Sequence, residues 1–144
     1  MKINTFSFLL LLATGFSACD IDVVVPMEET PREIRNFVSL HFPDCDIHQC
    51  KKDRDGLSRT YEVALSRGFD LEFNAKFRIT EMDSDNRLPD SVIPEKPRNY
   101  VAEKFPGVGV RDWELNGLGN QVLELETGQE LEFTSEGGFI RQKN

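Results

Sequence analysis

"HFPDCDI" occupies residues 41–47 and "KFPGVGV" residues 104–110, so that two Phe-Pro pairs stand 63 positions apart. The apolar spacing recurs with them: Cys45 and Ile47 in the first phrase answer Val108 and Val110 in the second. Laying residues 31–82 over 94–142 extends the match. Pro31 meets Pro94, Phe37 meets Tyr100, Val38 meets Val101 and Cys50 meets Trp113. After a short deletion in the second copy, "GFDLEF" (68–73) meets "GQELEF" (128–133), and Phe77 falls near Phe139. Apolar positions match apolar positions while polar ones drift, which is the mark of shared architecture and not of duplicated catalysis.

Each copy reads as a helix followed by strands. "TPRE" (30–33) has the form of a capping box, with Thr30 and Glu33 satisfying each other's amides and Pro31 at a position that needs no N–H. Ile34, Phe37, Val38 and Phe42 follow at helical spacing, and Pro43 ends the run. Tyr100, Val101 and Phe105 form the same stripe in the second copy, with Pro97 near its start. The strand regions then alternate. Tyr61, Val63, Leu65, Phe69, Leu71 and Phe73 share one face, as do Leu123, Leu125, Leu131 and Phe133. Such one-sided alternation predicts antiparallel sheet with one face on a helix and one in water. The expected fold class is therefore α+β: two tandem repeats, each a helix on a roughly four-stranded antiparallel sheet. Repeat 1 is expected over 26–82, a Pro-rich linker over 83–93 and repeat 2 over 94–144.

The Phe-Pro corner, the Asp55-Gly56 turn and the Gly-x-(Asp/Glu)-Leu-Glu-Phe strand together resemble the PepSY-like, β-lactamase-inhibitor-like family of exported Bacteroidetes proteins, over roughly residues 26–142. The resemblance implies αβ-sheet units repeated in tandem, with the two sheets running on into each other. It implies a binding or inhibitory role by analogy alone, because the matching residues are turn and core residues. "FNAKFRI" (73–79) lacks the Gly expected in its turn, which predicts a reshaped hairpin there.

Residues 1–18 read as an export signal: Lys2, then the apolar run Phe6–Phe16, too short to span a bilayer, then Ser17 and Ala18. Cys19 follows at the position where bacterial lipoproteins carry their lipid, so residues 19–25 are expected to be a tether and Cys19 the lipidation site. Loss of the signal removes Lys2 and no acid, moving the formal charge from −8 to −9. Nucleic acid is excluded as a partner by that charge, and so is electrostatic adhesion to anionic lipid. Membrane contact is expected through the lipid.

His41, Cys45, His48 and Cys50 lie within ten residues and invite zinc. The second copy argues otherwise: the cysteines correspond to core types, Val108 and Trp113, and the histidines to Lys104 and Arg111. A Cys45–Cys50 disulfide would need a bend after Pro43, since positions five apart on a straight strand face opposite ways. "DRDG" (53–56) and "DSDN" (83–86) lack the later acids of a calcium loop. No nucleophile elbow or phosphate-binding loop is present, so no metal, cofactor or catalytic residue is assigned.

What remains is the outward face of the strands. Glu62, Asp70 and Glu72 in the first copy, and Glu124, Glu126, Glu130 and Glu132 in the second, would make a negative field able to steer a basic protein or peptide. The expected protein is a lipid-anchored, non-enzymatic binding module of the cell envelope. The alternatives are a structural envelope lipoprotein without a ligand and a metal-binding protein using the His/Cys cluster. The anchor is directly testable: Cys19→Ala should move the protein from the membrane to the soluble fraction on cell fractionation.

Overall fold

The computed structural model describes residues 23–53 and 59–143. The export signal, Cys19 and the Asp55-Gly56 turn lie outside the described residues. Within them, nine strands form one sheet in chain order, every neighbouring pair antiparallel: β1 (Val23–Val25), β2 (Ile47–Asp53), β3 (Thr60–Leu65), β4 (Phe69–Asn74), β5 (Ile79–Ser84), β6 (Val110–Leu115), β7 (Gln121–Leu125), β8 (Glu130–Phe133) and β9 (Phe139–Lys143). Helix α1 (Arg32–His41) lies between β1 and β2 in the chain, and α2 (Glu95–Lys104) between β5 and β6.

The sheet corrects the expectation of four strands per repeat. β5 pairs with β4 on one side and β6 on the other, so it closes the first unit and opens the second. β1 stands to β2 as β5 stands to β6: Val25 faces Cys50 as Met82 faces Trp113. Asp83 and Ser84 belong to β5 and not to the connecting segment.

The recurring phrase is a helix stop built identically twice. The Phe42 amide donates to Val38 O at 2.7 Å, and the Phe105 amide to Val101 O at 2.8 Å. The Cys45 and Val108 amides then donate back to Phe42 O and Phe105 O, both at 3.0 Å. Pro43 and Pro106 have no N–H with which to continue either helix. The helix starts also match, but through proline: Pro31 and Pro94 are the N-caps, with extended backbone and no side-chain cap bond. The Thr30–Glu33 capping box is therefore not formed. Thr30 lies one residue too early, buried, with its hydroxyl 3.5 Å from Pro26 O.

One turn carries an unexpected residue. In the β8–β9 hairpin Gly137 takes φ +85°, and its amide donates to Thr134 O at 2.9 Å. In the β4–β5 hairpin the same place is held by Phe77, at φ +57°, with the same bond to Asn74 O at 2.9 Å. The hairpin is thus not reshaped for want of glycine. Asn74 Oδ1 accepts from the amides of Lys76 and Arg78, and the Phe77 ring packs 5.3 Å from Tyr61, offsetting the left-handed strain. By this turn Phe77 matches Gly137, and Ile79, not Phe77, matches Phe139.

Both helices pack on one face of the sheet over a single core. Across it Cys50, Val63, Leu71, Met82, Trp113, Leu123 and Leu131 make one cross-strand row, with Ile34, Val38 and Val101 coming down from the helices. Met82, wholly buried at the junction, belongs to both halves. Met82→Ala should cost about 2–5 kcal/mol, by transfer and cavity terms together. Urea unfolding should remain one cooperative transition at a lower midpoint, since the row has no break at which one half could release the other.

Candidate functional site

The register that lines up the core also lines up the opposite, helix-free face. Alternation on β4, β5 and β6 turns Met82 and Trp113 inward and the residues beside them outward. Pairing then sets Glu72 opposite Glu81 and Glu81 opposite Glu114, while Asp70 faces Asp83 and Asp83 faces Asp112. The result is two rows of three carboxylates over the seam between the repeats. Like charges directly opposite each other across strands destabilise a sheet.

The cations of this face are paired with acids outside the two rows. Lys51 approaches Glu62 at 4.0 Å, and Arg141 meets Glu132 at 2.7 Å. Arg111 pairs with Glu124 and Lys143 with Glu130. None of the six seam carboxylates has a Lys or Arg ion pair among the described residues. Glu72 does accept a hydrogen bond from the Thr80 hydroxyl, at 3.0 Å. Beside the rows lies an open hollow of about 310 Å³, lined by Gln49, Lys51, Glu62 and Ala64 together with Asp70, Glu72, Glu81 and Asp83.

The crowding is registered in the acids. Burial, then the charges of Asp83, Glu114, Glu81 and Glu124, pushes Asp112 up to about 7. Burial, then Glu72, Glu114, Asp83 and Glu62, pushes Glu81 up as well.

Of the seven acids read from the sequence, Asp70 and Glu72 belong to the rows, and Glu62 is the next strand's neighbour of Glu72. Glu124 and Glu130 are on the face but paired with cations. Glu132 is not an open acid. Its side chain is 7% exposed, and it accepts from Asn116, Asn120 and Arg141; the bonds from Asn120 and Arg141 hold it below the usual carboxylate range. Glu126 lies past the end of β7 and accepts from the Gly109 amide at 2.6 Å, a structural bond at the second corner. Sequence reading missed Glu81, Asp83, Asp112 and Glu114. Their signal was present in "ITEMDS" and "VRDWEL", where acids flank one inward residue, but it emerges only once β5 and β6 are recognised as neighbours.

The cysteines of the His/Cys cluster turn inward as the repeat comparison implies, whereas of the histidines only His48 is exposed and His41 is half-buried against Phe37. Cys50 is buried, Cys45 packs against the core, and both are free thiols. Among the described residues no three His, Cys, Asp or Glu side chains are grouped to hold a metal. His41 Nδ1 lies 3.1 Å from Ser91 Oγ, an exposed contact tying α1 to the segment before α2.

A family model described as "Putative beta-lactamase-inhibitor-like, PepSY-like" matches residues 19–81 and 61–141. Among solved structures, a "putative periplasmic protein of unknown function" from Bacteroides vulgatus is 28% identical, with TM-score 0.77, covering 85% of this chain and 99% of its own. A "putative calcium-regulated periplasmic protein" from Bacteroides thetaiotaomicron is 26% identical, with TM-score 0.79, covering 85% and 97%. An uncharacterized Caenorhabditis elegans protein is 30% identical over 86 residues; these are 60% of this chain and 8% of the relative's length.

The seam acids set a pH dependence. The folded pKa of Asp112 is raised, so its contribution to stability is full below about 3.8, its unfolded value, and is lost as pH rises through about 7. Asp112→Asn should therefore match wild type near pH 3, below the unfolded value, and exceed it near pH 8, by on the order of 1–2 kcal/mol after solvent screening. Urea midpoints at the two pH values give the comparison.

Proposed function

The chain belongs to the PepSY-like, beta-lactamase-inhibitor-like family, and from that membership we propose that it is an exported periplasmic binding protein, lipid-anchored at Cys19, that recognises a cationic partner through the helix-free face of its sheet and performs no catalysis. The two rows of carboxylates across β4, β5 and β6 carry this reading. They hold six acids on the seam, while the basic residues of the face are engaged on its flanks. A face that keeps like charges in register forgoes stability, and such retained repulsion is expected where a ligand relieves it. The periplasmic neighbours support the compartment.

The layout favours one class of cation. The carboxylates are spread over a plane, about 4.8 Å apart from strand to strand, and no three are grouped to hold one ion. Several separated positive groups suit that spacing, as in a Lys- or Arg-rich segment of a protein or peptide. The face offers an array of charge, which is why it is read as a binding surface.

The test uses decalysine as probe, with calcium chloride in parallel. Association with wild type should be fast at about 0.02 M salt and slow markedly at about 0.15 M, because steering is screened over the Debye length. In Glu72→Gln/Asp83→Asn the low-salt rate should fall roughly fivefold and its salt dependence flatten. Equal rates and slopes for the two proteins would leave the face as a solvating surface. Saturable calcium binding without peptide binding would transfer the reading to a divalent cation.

A further inference from the structure

Strand order in this sheet equals chain order, so among the described strands distance from β1 grows with strand number. β1 is an edge strand: it pairs with β2 on one side and with no other strand among the described residues. The edge is apolar, with Val23, Val24 and the neighbouring Met27 exposed to 45%, 57% and 50%. Open edges are ordinarily guarded by charge or proline, and β1 itself is three valines. Cys19 precedes Val23 by four positions, so even a fully extended chain holds β1 within about 14 Å of the Cys19 backbone.

We propose that the β1 edge is the surface by which the protein rests on a lipid bilayer, with Val23, Val24 and Met27 at headgroup level and the sheet rising from it strand by strand. The proposal rests on the reading of Cys19 as the lipid-bearing residue. With so short a tether, no distant part of the molecule can reach the membrane as readily as this edge. The free N–H and C=O groups of an edge strand remain hydrated among headgroups but would be orphaned in hydrocarbon, so the contact is interfacial. Glu28 and Glu29 directly follow Met27 and are exposed, so the attraction is apolar and needs no anionic lipid. Neighbouring strands lie about 4.8 Å apart, which puts β9 roughly 38 Å from β1 and the carboxylate rows of β4–β6 about 14–24 Å out, clear for a soluble partner.

The experiment uses the full chain, exported, purified from membranes and reconstituted into phosphatidylcholine vesicles. Mass spectrometry first reports whether Cys19 carries lipid. A Cys45→Ser background then receives one fluorescent label at Val24→Cys, Leu118→Cys or Ile140→Cys, all exposed positions. Quenching by headgroup spin-labelled lipid should be at least about threefold stronger at position 24 than at 118 or 140, given the separation of the strands. Insertion of about ten Gly/Ser residues between Asp22 and Val23 should leave the quenching at 24 in place, because the contact holds without the short tether. Equal quenching at the three positions, stronger quenching at 140, or its loss on insertion overturns the proposal while a lipidated Cys19 stands. An unlipidated Cys19 overturns the anchor and the proposal with it. A label at 24 that is shielded from lipid while cross-linking joins two chains through β1 overturns it in favour of a second copy.

Discussion

Three residue pairs join the two halves of this protein: Glu81 with Glu114, Met82 with Trp113, and Asp83 with Asp112. They are one physical event seen from two sides. The middle pair points into the core and makes the apolar row continuous from Cys50 to Leu131. The outer two point away and put acid against acid. Because side chains alternate with period two, the core contact cannot form in this register without the repulsive ones, and a slip of one residue would invert both faces. The burial of Met82 and Trp113 thus imposes the acidic seam.

The repeats are connected with little extra material because β5 serves both. Around it the same devices recur: a proline N-cap, a Phe-Pro helix stop, and hairpins whose turns need a left-handed residue. Where the second copy uses Gly137, the first holds Phe77 in the same conformation by aromatic packing and two bonds to Asn74. A second demand falls on Gly137: a Cβ there would come within 2.8 Å of Lys96 Cβ at the start of α2. The two turns share backbone geometry, and their residues differ because their neighbours do.

The outer face carries its charges unevenly. Cations engage the acids of its flanks, and among the described residues none pairs with the seam. Asp112 responds by holding its proton to about pH 7, so part of the repulsion is relieved by protonation when no partner is present. A cationic ligand would do the same by charge, displacing that proton as it binds. The acidic face is joined to the stability of the whole fold, because its carboxylates stand on the strands that unite the two halves.

The sequence alone determined the repeat, the α+β class, the helix stripes and the inward residues of β3, β4, β7 and β8. These are local properties, written in spacing and in the chain-breaking chemistry of proline and glycine, and the family likeness followed from the same residues. It also placed acids on the outward side, but it grouped Glu132 with Glu62 and Glu72. Nothing in "ELEF" indicates that Asn116, Asn120 and Arg141 converge on one carboxylate, since two of those partners lie on another turn and the third on another strand. The capping box failed for a similar reason: the motif was present, but the helix began one residue later, at Arg32, with proline as its cap. Only the tertiary structure decided that β5 meets β6. Strand pairing depends on which edges remain free once every hydrophobic face is covered, a property of the assembled sheet and of no single segment. From that pairing came the one continuous core and the two rows of carboxylates standing on its other side.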